Sequence, residues 1–333
     1  MALQRNPQID IMRALGLVLI FLSHSNPSAD VVLQLRCFDV PMMIFISGLT
    51  FSQKVDFKYW TYVKKRTTRL IFPVWCFLFP YLSVLALAQN MGFIPEYLTW
   101  KMSIESFFLC DGIGYVWIFR VFLLIMLLTP ILAKLEAQGK FISSLYVLIS
   151  LGIVEALVYM LSSFSLNGIL CFIVKDILVY AIGYSILFVI GMNLRHAKQK
   201  NVIFWGTYVL VIFAFVSLIY CINHGLPIRI TPDYKYPPRT YFLVYGMFVS
   251  TVIWLSRKYW GEWLDSKFIL FLGQNTIWIY LWHIPVVLLC TRIDVWLVRF
   301  LVLLILPLAI YSIQYKVVTS LNISPKLKQI LIG

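Results

Sequence analysis

The chain has 333 residues, of which 61% are hydrophobic and only 13% charged, and its mean hydropathy is +0.86. An average soluble domain carries about 25% charged residues, so this chain lacks the polar surface that water demands, and its apolar runs are long enough for membrane-spanning helices rather than barrel strands. The net charge of +14 does not mark a nucleic-acid partner, because the cations punctuate the apolar runs, as expected of loops that obey the positive-inside rule and meet anionic lipid headgroups.

In chain order, ten apolar segments are predicted to span: 9–25, 35–52, 70–89, 114–132, 141–160, 168–193, 202–222, 240–256, 268–289 and 295–315. The expected fold is all-α, a polytopic integral membrane bundle of about ten transmembrane helices forming a single domain over 1–333. With the N-terminus inside, nineteen of the 28 Lys and Arg residues fall on the inner side and six on the outer side. That bias places both termini in the cytoplasm. The first segment carries Asp10 and Arg13 at its start and outlasts a signal-peptide core, so it reads as an uncleaved first helix.

Between the second and third spans, "SQKVDFKYWTYVKKRTTR" mixes aromatic residues with cations and reads as an interfacial helix. The outer segment "NMGFIPEYLTWKMSIESFFLCDGIG" suits an interfacial or re-entrant piece. The Pro- and Tyr-rich "NHGLPIRITPDYKYPPRT" has two readings, a substrate-facing lid or a simple connector. No internal repeat supports a transporter built from inverted halves. The six cysteines (37, 76, 110, 171, 221 and 290) form no C-x-x-C pair and lie in or beside apolar runs. Neither a disulfide framework nor a metal site is expected.

The first span holds "RALGLVLIFLSH". Eleven residues make about three helical turns, so Arg13 and His24 share one face, roughly 16 Å apart. Ionisable groups inside a span face the bundle interior by default, so the two mark one wall of a polar path. Each has a bland alternative: Arg13 snorkels or pairs with Asp10, and His24 is a hydrated helix end before "SNP". The chemical reading of His24 is a general base, since a neutral imidazole in dry surroundings takes a hydroxyl proton near neutral pH. Arg66 and Arg69, at i and i+3 in "KKRTTRLIFP", set two guanidiniums side by side, which suits a diphosphate or a 3′-phosphate. An ordinary cytoplasmic anchor is the alternative. Trp117 in "GIGYVWIF", after Asp111, stacks on a sugar ring or belts the interface. His283, two residues before Pro285, either makes a structural hydrogen bond or lines an acceptor path. Glu155, Lys175 and Asp176 are expected to pair across two helices.

Five of these stretches together resemble the acyltransferase-3 family of membrane O-acyltransferases. "IDIMRALGLVLIFLSHS" resembles its first helix, with Arg or Lys, ten residues and then His. "FDVPMMIFISGLTFSQK" is similar to its second-span signature F-H-x-P-x-F-F-x-x-S-G, and "KKRTTRLIFP" to its R-x-x-R segment. "GIGYVWIF" and "IYLWHIPV" resemble its aromatic motif and its late I-Y-L-x-H-x-P helix. The matches run in family order from residue 9 to about 286.

The resemblance implies transfer of an acyl group, usually acetyl, from cytosolic acyl-CoA to a hydroxyl of a surface polysaccharide or lipid-linked sugar, in the plasma (bacterial inner) membrane. It makes His24 the catalytic histidine, Arg13 its motif partner, and Arg66 and Arg69 the ligands of the CoA phosphates. No permanently bound cofactor is implied, acetyl-CoA being the donor substrate. Two departures stand out. Asp39 occupies the usual His of the second signature, a place from which it would orient His24 or hold it charged. Arg120 follows the aromatic motif where one branch of the family carries Glu. Candidate donors for the developing oxyanion are Ser23, Ser25, Asn26 and Ser47. A glycan or lipid transporter or flippase using Arg13, His24 and His283 along its path is the rival reading.

Overall fold

A computed structural model of the protein describes residues 6–28, 30–51, 58–94, 97–110, 112–195, 197–225 and 229–332. Asp111 lies outside the described residues. Among them the structure is helical, with one isolated β-bridge between Lys235 and Pro238. The helices in chain order are α1 (Pro7–His24), α2 (Asp30–Leu35), α3 (Asp39–Thr50), α4 (Tyr59–Asn90), α5 (Trp100–Phe107), α6 (Trp117–Ala137), α7 (Lys140–Ser163), α8 (Gly168–Phe172), α9 (Tyr180–Leu194), α10 (Gln199–His224), α11 (Pro232–Lys235), α12 (Thr240–Ser256), α13 (Lys267–Gln274), α14 (Thr276–Leu289), α15 (Trp296–Ser320) and α16 (Pro325–Ile332). A π-helical stretch, Ile173–Val179, joins α8 to α9.

Eight helical stretches among the described residues are long and apolar enough to cross a membrane: Pro7–His24, Asp30–Thr50, Tyr59–Asn90, Trp117–Ala137, Lys140–Ser163, Gly168–Leu194, Gln199–His224 and Trp296–Ser320. Each coincides with a predicted segment. The other two predicted segments are shorter. Helix α12 has 17 residues, and 268–289 is divided at Asn275 into α13 and α14. The described part of the predicted interfacial helix is the opening of α4, which runs unbroken for 32 residues through Pro73 and Pro80. At 1.5 Å per residue α4 is about 48 Å long, well beyond a hydrocarbon core of about 30 Å.

The chain forms two compact units, Met1–Val55 with Leu127–Gln274 and Asp56–Met126 with Asn275–Gly333. In the first, α3 packs on α9 with almost no side chain between them. A Cβ on Gly48 would stand 2.1 Å from the Phe188 carbonyl oxygen, and one on Gly191 would stand 2.2 Å from the Phe45 carbonyl oxygen. Only glycine permits that backbone approach, the way helices associate where lipid supplies no hydrophobic drive. Helix α1 starts where the Asn6 side chain accepts from the Gln8 N–H at 3.0 Å, with Pro7 in the first turn. It is seated against α13, where Gly273 lets the backbone at Asp10 come close.

In the second unit, α16 is pinned to its neighbours by its own last-turn carbonyls. Such carbonyls have no partner within a helix. Trp278 Nε1 donates to Ile330 O at 2.9 Å, Gln314 Nε2 donates to Leu331 O, and the Tyr311 hydroxyl sits 2.9 Å from Ile332 O and 2.7 Å from Asn275 Oδ1.

Candidate active site

In the first unit, His24 is the last residue of α1. The helix stops there because Asn26 takes a left-handed conformation, φ 52°, and Pro27 follows. His24 is half-buried, and its imidazole feels the charges of Arg36 and Lys235. Neither cation was a sequence candidate. Arg36 stands in the turn between α2 and α3, and Lys235 closes α11.

The segment carrying Lys235 is held on α2. Gln34 Oε1 accepts from the Ile230 N–H at 2.6 Å, its Nε2 donates to Ile230 O at 3.4 Å, and Arg229 meets Asp30 at 3.4 Å. The ion pair is exposed and contributes little; the amide contacts, beside the buried Ile230, do the anchoring. Lys235 also lies within electrostatic range of the Cys37 thiol. The described part of this Pro- and Tyr-rich loop is thus packed against α2.

Asp39 is 5% exposed and Arg36 8%. Arg36 Nη1 donates to Asp39 Oδ2 at 2.6 Å, and Asp39 Oδ1 accepts the Val40 N–H at 2.8 Å. The carboxylate expected to orient His24 is therefore committed to Arg36 and to the first turn of α3. Among the described residues Arg36 Nε is buried without a hydrogen-bond partner, and so is the hydroxyl of the fully buried Tyr184, which lies within electrostatic range of Asp39 and Tyr236.

Arg13 shares α1 with His24, as the spacing requires, and donates to Asp10 Oδ1 at 3.0 Å. Asp10 is 1% exposed, and its Oδ2 accepts from Gln274 Nε2 at 3.3 Å. Of the expected oxyanion donors, the Ser25 hydroxyl is spent on Leu22 O at 2.8 Å and the Ser47 hydroxyl on Met43 O at 3.0 Å. Such bonds back to the helix's own carbonyls are common for small polar residues inside helices. Glu155 accepts from the Tyr220 hydroxyl at 3.3 and 3.4 Å.

The second unit holds the remaining candidates. Arg66 and Arg69 are both exposed on the first turns of α4, beside Lys64 and Lys65. Arg66 lies over the Tyr62 ring, 5.5 Å from its centroid. With the Gln329 amide turned to satisfy both groups, its oxygen accepts from Arg69 Nε at 2.9 Å and Nη2 at 2.6 Å. Lys326 and Lys328 add cations on the same short helix, α16.

His283 is fully buried, and its Nδ1 hydrogen-bonds Tyr280 O. Its ring lies 4.4 Å from that of Tyr280 and edge-on to Tyr115 at 5.9 Å. The Tyr280 hydroxyl donates to Tyr115 O at 2.7 Å. Trp117 opens α6, half-buried, and Arg120 is buried one turn later. The expected site residues thus form two groups, Arg13, His24, Asp39 and Ser47 in one unit and Arg66, Arg69, Trp117, Arg120 and His283 in the other.

Among the described residues no group of three or more His, Cys, Asp or Glu is placed to hold a metal ion. No curated protein and no solved structure gives a significant match to the chain. The family model described as an acyltransferase domain, that of acyltransferase-3, matches residues 6–313, nearly the whole length. With that match and its set of long apolar helices, the chain belongs to the acyltransferase-3 family and is a multi-pass membrane acyltransferase.

Proposed function

We propose that the protein is an O-acyltransferase, by default an O-acetyltransferase, which moves an acyl group from cytosolic acyl-CoA to a hydroxyl of a surface polysaccharide or lipid-linked sugar in the plasma (bacterial inner) membrane. The observation that carries this reading is the end of α1. A half-buried imidazole there lies within the electrostatic range of two cations, Arg36 and Lys235, in a chain of an acyltransferase family.

The imidazole of His24 takes the proton of the acceptor hydroxyl as its oxygen attacks the thioester carbonyl. A C–O bond forms, and the carbonyl oxygen carries the negative charge. When that intermediate collapses, the C–S bond breaks and the imidazolium returns its proton to the departing CoA thiolate. The products are an ester and the free thiol. General-base help of this kind contributes about two to four powers of ten in rate. Arg66 and Arg69 take the phosphates of the donor, as paired guanidiniums suit. Trp117, with Arg120 and His283 in the same unit, serves the acceptor sugar.

The test is the purified protein in detergent with radiolabelled acetyl-CoA and extracted lipid-linked glycans. Label should appear on the glycan as a base-labile ester, with one CoA thiol released per ester. A transporter or flippase would leave acetyl-CoA intact, and that result would remove the proposal.

A further inference from the structure

The reaction proposed above needs hydrogen-bond donors for the oxyanion on the thioester carbonyl. Ser25 and Ser47, two of the donors expected from the sequence, direct their hydroxyl protons to Leu22 O and Met43 O. A different donor acts electrostatically on the imidazole. Arg36 is nine-tenths buried, its Nη1 is fixed by Asp39 at 2.6 Å, and its Nε has no hydrogen-bond partner among the described residues. A buried donor left unmet is costly, so each such group calls for an explanation. Arginine has five N–H donors, and the Asp39 contact fixes the head of the side chain through Nη1 alone.

Lys235 is a second cation within electrostatic range of the same imidazole. An ammonium carries three donors. The Gln34–Ile230 amide pair holds the segment that brings it there.

We infer that Arg36 is the principal oxyanion donor of the acyl transfer, that Lys235 is a second, and that Asp39 is the positioning residue that holds the Arg36 guanidinium in place. This inference rests on the reading of His24 as the base. In it, electron density moves from the thioester C=O bond onto oxygen as the acceptor attacks, the guanidinium and ammonium protons meet that charge without leaving their nitrogens, and the density returns when the C–S bond breaks. Preorganised donors of this kind act on the chemical step rather than on ground-state binding.

The test is steady-state acyl transfer by the full chain in detergent, with thermal unfolding measured in parallel. Arg36→Gln combined with Asp39→Asn removes both charges together, which spares the fold the lone buried charge that either single change leaves. It should lower kcat by about 10²–10³ with the KM values for donor and acceptor within about threefold of wild type. Arg36→Lys, paired with native Asp39, should recover part of that loss. Lys235→Met should lower kcat about tenfold. A folded double variant whose kcat stays within threefold of wild type, while His24→Ala is silent, would overturn the role of Arg36 and leave the base reading standing. If the double variant does not fold, an unchanged kcat in both Arg36→Lys and Lys235→Met overturns it. Transfer retained by His24→Ala would remove the base reading and this inference with it.

Discussion

Arg69 lies near the start of α4 and Gln329 near the C-terminal end of the chain, yet with the Gln329 amide turned to satisfy both groups its side-chain oxygen accepts from two guanidinium nitrogens of Arg69, at 2.9 and 2.6 Å. The contact depends on α16 being pinned by Trp278, Tyr311 and Gln314. It holds one edge of the Arg69 fork and leaves Nη1 for a phosphate. Gln329→Ala should raise the KM for acetyl-CoA about threefold to tenfold, with kcat unchanged, as expected when only uniform binding is weakened. Gln329→Glu should raise it further, since a carboxylate competes with phosphate for the fork. Initial rates against donor concentration check both.

Replacing Arg66 and Arg69 together by Ala should raise the donor KM by about 10- to 100-fold, taking about 1.5–3 kcal/mol for hydrogen bonds to a charged group. The rate at saturating donor should be close to wild type. Because both arginines are exposed, the wild-type KM should also rise between low and physiological ionic strength. A KM that ignores both changes would place the CoA phosphates elsewhere.

The Asp10–Arg13 pair makes a different prediction, about stability. Arg13→Ala takes one ionic partner from the carboxylate of Asp10, which is 1% exposed and keeps its Gln274 contact. That should cost about 2–3 kcal/mol, below the range for fully buried pairs because Arg13 retains some solvent contact. Asp10→Asn with Arg13→Gln should recover most of the loss, because no buried charge then remains. Thermal unfolding in detergent separates the cases. If the double variant is stable but inactive, Arg13 serves the chemistry as well as the fold.

Gly48→Ala should be among the most damaging small substitutions in the chain. Its Cβ would meet the Phe188 carbonyl oxygen at 2.1 Å, and backbone on both sides leaves no flexible side chain to move aside. The helices must separate, at a cost of about 1–3 kcal/mol, and the expected readout is a lower unfolding temperature and reduced yield of folded protein. Gly152, whose added Cβ meets nothing within 4 Å, is the control that should tolerate Ala.

The long apolar helices were legible because apolar length is a local property of the chain. The same locality explains the errors. The cationic, aromatic run before residue 70 carries the composition of an interfacial piece, but nothing in it stops a helix, so it continues into α4. The division of the ninth segment at Asn275 sits in "GQNT", whose polar residues are outweighed by the apolar residues on either side. Helical spacing aligned Arg13 with His24, and the i, i+3 spacing that joins Asp10 to Arg13 also joins Arg36 to Asp39. Read from the sequence, Arg36 is only a loop cation, because nothing local says that its charge acts on His24. Lys235 and Gln329 are beyond sequence reasoning altogether. The charge of Lys235 acts on His24, and Gln329 meets Arg69, only through long-range packing, which leaves no periodic trace.

The most direct measurement is the transfer rate of purified His24→Ala, set beside wild type at saturating acetyl-CoA and acceptor, with folding verified by thermal unfolding. The rate should drop by about two to four powers of ten while the unfolding temperature stays near that of wild type. A folded His24→Ala protein that still acylates its acceptor at close to the wild-type rate would contradict the account at its centre.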